Sequence, residues 1–212
     1  VKVDGIPVTK AGTPVALDAV VELDDATPRY VCRAGFKLEG ALDHFAINVH
    51  DKIFLDAGLS TGGFTDCLLQ RGAAKVYGVD VGYGQVHEKI RTDGRVRVLE
   101  RTNLRHVTTV GELVDGVTLD LSFISVLKVM DAVTSVLKPD GILIVLIKPQ
   151  FEARREDVGP GGIIKDSLVH ERVIQEVTQA IIDRGFSLQG VVPSSIKGME
   201  GNQEFLAYFK RI

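Results

Sequence analysis

Two side chains stand where open α/β sheets do chemistry. Asp120 closes an apolar run in L-D-L-S-F-I-S, and Lys148 closes another in L-I-V-L-I-K-P-Q-F-E. Ligands of such sheets bind outside the carboxyl ends of the strands, so both residues are expected to project toward one crevice. A lysine that ends an apolar strand is costly to bury unless it is paired. Lys148 is therefore either a structural partner of Asp120 or part of a reaction. A third feature is the turn Asp56-Ala57-Gly58-Leu59-Ser60-Thr61-Gly62-Gly63-Phe64, which follows a strand and opens a helix. Its glycines let backbone approach a ligand closely.

Asp80 closes the next strand 22 residues after Gly58, where a carboxylate can accept from both ribose hydroxyls of a nucleoside. The spacing is G-x-x-x-G-G rather than G-x-G-x-x-G, an acidic residue precedes it, and a strand hairpin closes the sheet. Together these favour S-adenosylmethionine over NAD or FAD. The expected cofactor set is Asp56, Gly58, Ser60, Gly62, Gly63, Phe64, Asp80 and Asn103. Asn103, in E-R-T-N-L-R, is read equally as an adenine or ribose contact and as an N-cap before Leu104.

The elements that must position these residues follow from periodicity. Apolar residues at 38, 41, 42 and 45 predict a helix over Arg33 to Phe45, with Lys37 near its start. Strands are expected at Lys52–Asp56, Lys75–Asp80, Arg95–Leu99, Val117–Leu121, Gly141–Ile147, Ser187–Pro193 and Gln203–Lys210, with helices near 63–71, 84–92, 125–137 and 167–184. The last two strands are joined by too short a loop for a parallel crossover, so they should pair as a hairpin. The expectation is a doubly wound, Rossmann-like α/β fold of seven mostly parallel strands with a terminal antiparallel hairpin. Residues 153–166 interrupt the alternation with Gly-Pro-Gly-Gly, as a plain connection or a substrate lid.

Composition narrows the class. The longest apolar run, Ile142–Ile147, has six residues, against about 20 for a helix crossing a bilayer. The alternating start Val1-Lys2-Val3-Asp4-Gly5 has no apolar core of a secretory signal. Cys32 and Cys67 form no C-x-x-C pair, and the five histidines share no ligand spacing. A reduced, cytoplasmic setting without a metal is expected. The net charge of −3 is unusual for a nucleic-acid partner and asks for a local basic surface.

The runs R-A-G-F-K-L, L-D-A-G-L-S-T-G-G-F-T-D, V-Y-G-V-D-V-G-Y-G-Q, E-R-T-N-L-R, L-D-L-S-F-I-S, I-K-P-Q-F-E and G-N-Q-E-F-L resemble the TlyA (hemolysin A) family over nearly the whole chain. These are ribosomal RNA 2′-O-ribose methyltransferases related to the FtsJ heat-shock methyltransferase. The resemblance implies S-adenosylmethionine as cofactor and ribosomal RNA or a ribosomal subunit as partner. It also implies a catalytic tetrad of Lys37, Asp120, Lys148 and Glu204. Residues 1–27 resemble only the closing strands of the family's RNA-binding domain, and residues 28–212 its methyltransferase domain. A ribose hydroxyl must lose its proton as it attacks a methyl group. A lysine serves as base when burial and a second ammonium favour its neutral form. Lys148 is accordingly expected as base, Asp120 as its orienting partner, and Lys37 with Glu204 as the pair that positions the ribose. Two rivals are a membrane-lytic protein and an RNA-binding module that has lost catalysis. The first lacks a spanning segment or a basic amphipathic helix. Against the second, all four tetrad residue types and the cofactor turn are present. A base-directed amino methyltransferase is expected to carry Asn/Asp-Pro-Pro-Tyr/Phe where Asp120-Leu121-Ser122-Phe123 stands.

Overall fold

The small first sheet and the large second one differ in what they can bury. In the computed structural model, which describes residues 1–8, 10, 12–22, 28–198 and 201–212, β1 (Lys2–Val3), β2 (Ile6–Pro7) and β3 (Val21–Glu22) form an antiparallel sheet ordered β2-β1-β3. Its two-residue strands are partly or fully exposed and build no core. The expected domain boundary at 27/28 adjoins residues 23–27, which lie outside the described residues.

The alternation after residue 30 resolves into α1 (Ala34–His44), β4 (Ile53–Ala57), α2 (Gly63–Gln70), β5 (Lys75–Val79), α3 (Glu88–Arg91), β6 (Val96–Leu99), β7 (Val114–Leu119), α4 (Met130–Val136), β8 (Leu137–Ile147), α5 (Pro149–Glu152), α6 (Ser167–Ile182), β9 (Phe186–Pro193) and β10 (Phe205–Arg211). The seven strands from β4 onward lie in the order β6-β5-β4-β7-β8-β10-β9. Neighbours from β6 to β8 are parallel, and β10 runs antiparallel to both β8 and β9. The mostly parallel sheet and its closing hairpin are as the sequence predicts.

Period-two alternation sorts each central strand between two layers. Along β8, Leu143, Val145 and Ile147 join the core under α4 and α6, whereas Ile142, Ile144 and Leu146 join the core under α1, α2 and α3. The apolar face of α1, Leu38, Ala41 and Leu42, is buried in the second layer, and this seats Lys37 at the inner edge of the helix.

Several boundaries move. The segment expected as a helix over 84–92 is helical only at Glu88–Arg91, because Gly84 has φ +72 and its N–H is held by Glu100, while His87 caps the helix start by accepting from the N–H of Lys89. The segment 125–137 begins as a 3₁₀ turn over Val126–Val129, capped by Ser125, before α4. β8 starts at Leu137 rather than Gly141: Leu137 pairs with Val114, and the register slips before Gly116 meets Ile142. Loop 153–166 contains two 3₁₀ turns, Arg155–Asp157 and Pro160–Gly162. Among the described residues, no helix is long and apolar enough to cross a membrane.

Candidate active site

One buried and one partly buried ion pair face one cavity at the carboxyl edge of the sheet. Asp120 follows the end of β7 and Lys148 the end of β8; Lys148 Nζ lies 2.6 Å from Asp120 Oδ1 and donates a 2.9 Å hydrogen bond to Ser122 Oγ. Lys37, in the first turn of α1, pairs with Glu204, which directly precedes β10. The Lys37 and Glu204 side chains are 8% and 3% exposed, so each charge depends on its partner for the solvation it has lost. The backbone fixes Glu204 as well, since its carbonyl accepts from the N–H of Ser194 at 2.8 Å. All four residues line a cavity of about 760 Å³, to which Thr61, Gly161, Gly162 and Asn202 also contribute.

An adjoining cavity of about 460 Å³ shares Gly58, Ser60, Asp120, Ser122 and Phe123 with the first and extends past Asp80 to Asn103. The Asp80 carboxylate accepts from the backbone N–H groups of Ser60 and Gly82, both at 2.7 Å. It thereby ties the Gly-rich turn to the end of β5. Gly58 has φ +86, and a Cβ there would strike the carbonyl oxygen of Asp120. Of the two roles left open by the sequence, the cap is the one formed here. Asn103 caps the 3₁₀ turn Leu104–His106 by accepting from the N–H of Arg105 at 3.1 Å, and it stands on the cavity wall.

Asp56, Gly62, Gly63 and Phe64 stand behind the turn, and none of them lines either cavity. Asp56 is fully buried, and its two oxygens accept from Thr65 Oγ1 at 2.7 Å and Thr118 Oγ1 at 2.8 Å. Burial pushes its carboxyl up to about 6, with the two threonine hydroxyls opposing the shift. It braces the turn from beneath. A Cβ on Gly62 (φ +100) would meet Ile90, and one on Gly63 would meet Cys32 and Ala34; these glycines let α2 pack against its neighbours. Phe64 belongs to the core under α1.

Three residues were missed. Ser122 accepts directly from Lys148, a contact that the run L-D-L-S-F-I-S does not announce. Asn202 is buried; its Oδ1 accepts from the N–H of Ile164 and its Nδ2 donates to the carbonyl of Gly162, both at 2.9 Å. It fastens loop 153–166 to the strand end that carries Glu204, a function the N-Q-E-F run does not spell out. Glu152 accepts from the N–H of Val126 at 2.8 Å, joining the segment after Lys148 to the segment after Asp120, and burial raises its carboxyl above the ordinary range.

The lining of the smaller cavity suits a nucleoside. Asp80 can meet ribose hydroxyls, while Val79, Leu104, Leu121 and Val129 offer apolar walls for a base. An FtsJ-like methyltransferase family model matches residues 30–211. The chain is 42% identical over 213 residues to the 16S/23S rRNA (cytidine-2′-O)-methyltransferase TlyA of Mycobacterium tuberculosis, covering 99% of this chain and 80% of that protein. It is 45% identical over 184 residues to Hemolysin A of Brachyspira hyodysenteriae, covering 85% and 77%. A crystal structure of a candidate hemolysin from Lactococcus lactis superposes with a TM-score of 0.84 at 44% identity, covering 87% of this chain and 90% of that one.

Proposed function

Since the chain belongs to the FtsJ-like methyltransferase family, we propose that it transfers a methyl group from S-adenosylmethionine to a ribose 2′-hydroxyl of ribosomal RNA. The observation that carries this reading is the placement of the Lys148–Asp120 and Lys37–Glu204 pairs on the wall of a single cavity. That cavity adjoins the one lined by Gly58, Ser60, Asp80 and Asn103.

S-adenosylmethionine, held by Gly58, Ser60 and Asp80, would supply an electrophilic methyl group on a positively charged sulfur, with the neutral thioether as leaving group. The chain's own part is to hold the ribose, strip its proton and keep water out. Lys148, as the neutral amine, takes the 2′-proton on Nζ and becomes an ammonium, which Asp120 stabilises at 2.6 Å. Lys37 and Glu204 fix the ribose by hydrogen bonds from opposite charges. Orienting the hydroxyl in this way lowers the barrier independently of proton transfer. Asp80 and the turn at Gly58 and Ser60 hold the nucleoside of the donor.

We read the small sheet β1–β3 as part of an RNA-binding front unit, since its strands are too short to bury a core of their own. The proposed substrate puts the protein in the cytoplasm. The test is incubation of the protein with ribosomal RNA and methyl-labelled S-adenosylmethionine, followed by nuclease digestion and identification of the labelled nucleoside. Label on the 2′-oxygen is expected. Label on a base, or calorimetry showing that NAD binds more tightly than S-adenosylmethionine, overturns the reading.

A further inference from the structure

We propose that Ser122 is a positioning residue that aims Lys148 at the substrate hydroxyl. The inference rests on the assignment of Lys148 as the base and adds a residue to that machinery. A lysine nitrogen is tetrahedral, with one direction taken by Cε. In this structure two of the other three are fixed, one by Asp120 Oδ1 at 2.6 Å and one by Ser122 Oγ at 2.9 Å. Both anchors accept. An ionised carboxylate can only accept, and the serine hydroxyl receives the amine's hydrogen on its oxygen. Once the third proton of the ammonium has left, the amine has two hydrogens and one lone pair. With both hydrogens committed, the lone pair occupies the one remaining direction.

Asp120 alone would leave Nζ free to swing around a single contact, and the lone pair would sweep a cone. The second anchor removes that freedom. It comes from the same short segment after β7, so the two acceptors move as one body. Ser122 also belongs to the wall where the two cavities meet, between the tetrad and the turn that holds the donor. The residue is exposed on that wall, so removing its hydroxyl leaves no buried gap and does not threaten the fold.

The experiment compares wild type, Ser122→Ala, Ser122→Thr and Lys148→Ala in the full chain, measuring turnover with ribosomal RNA and S-adenosylmethionine. It also follows the ¹³Cε resonance of Lys148 without either substrate, assigned by its loss in Lys148→Arg. In Ser122→Ala, kcat should fall about tenfold, the cost of one lost positioning hydrogen bond, while KM for both substrates and the melting temperature stay unchanged. The Lys148 resonance should shift and sharpen as the amine is released. Ser122→Thr, which keeps the hydroxyl, should restore both readouts. Wild-type turnover in Ser122→Ala beside an inactive Lys148→Ala overturns the proposal, as does a raised KM for RNA with unchanged kcat, which would make Ser122 a substrate contact. Full activity of Lys148→Ala instead refutes the base assignment. The resonance then decides Ser122 by itself, and an unchanged signal in Ser122→Ala overturns the anchoring.

Discussion

The carbonyl oxygen of Asp120 lies 2.2 Å from the point a Cβ on Gly58 would occupy. The Gly-rich turn and the segment that carries Asp120 therefore touch through bare backbone. An alanine at 58 has to displace the backbone of Asp120 and also adopt a left-handed φ. Gly58→Ala should abolish turnover and weaken cofactor binding at least tenfold by calorimetry. A variant that binds normally and turns over would show that the contact has slack.

Gly62 tests a different wall. Its Cβ would collide with Ile90 at 2.8 Å rather than reach either cavity, and its φ is +100. Gly62→Ala should lower the stability of the cofactor-free protein by about 1–3 kcal/mol, the combined scale of left-handed strain and local overpacking. An unchanged melting temperature with lost cofactor affinity would return Gly62 to the role the sequence suggested.

Lys148 separates a base from a fixed positive charge. Arginine keeps the charge but cannot deprotonate in the working range. Lys148→Arg should therefore lose about 10²–10⁴ in kcat, as Lys148→Ala does. Both variants should keep their affinity for cofactor and RNA, which places the loss in the chemical step. Substantial turnover by the arginine variant would reduce Lys148 to an electrostatic clamp.

Asp56 makes stability depend on pH. Its folded carboxyl titrates near 6, above the value of about 3.9 for an unfolded aspartate. A raised value means that the folded state binds the proton more tightly. The associated stability is complete below about pH 4 and is lost as pH rises through about 6. Asp56→Asn can still accept from one threonine hydroxyl and donate to the other, without the charge. Denaturant titrations from pH 4 to 7 should show wild type losing about 2–3 kcal/mol relative to this variant. Parallel curves would mean that Asp56 is ionised throughout.

The sequence was most legible where one residue reports its own surroundings. The unbroken apolar run at 142–147 predicts a central strand, and the short link before Gln203 predicts a hairpin. Lys37 and Glu204 pair across 167 positions, and nothing local to either announces the other; only the resemblance joined them. The inward turn of Asp56 is not legible locally because its partners come from two other elements, Thr118 through the β4–β7 register and Thr65 from α2. The same holds for Gly62 and Gly63: a glycine signals close approach without saying what approaches. Ser122 passed unnoticed because a serine after a strand end is ordinary turn chemistry until a lysine from the next strand meets it.

The position of β10 between β8 and β9 bears on how the enzyme comes into being on the ribosome. Synthesis delivers Lys37, Asp120 and Lys148 long before Glu204. Until β10 emerges, the facing edges of β8 and β9 lack the strand that joins them, and Lys37 lacks its counter-charge. A nascent or truncated chain that stops short of Glu204 thus holds three tetrad members and an open sheet edge, a form prone to aggregation. Methylating competence and burial of that edge arrive with the same strand, so an incomplete product has no route to partial activity through this site.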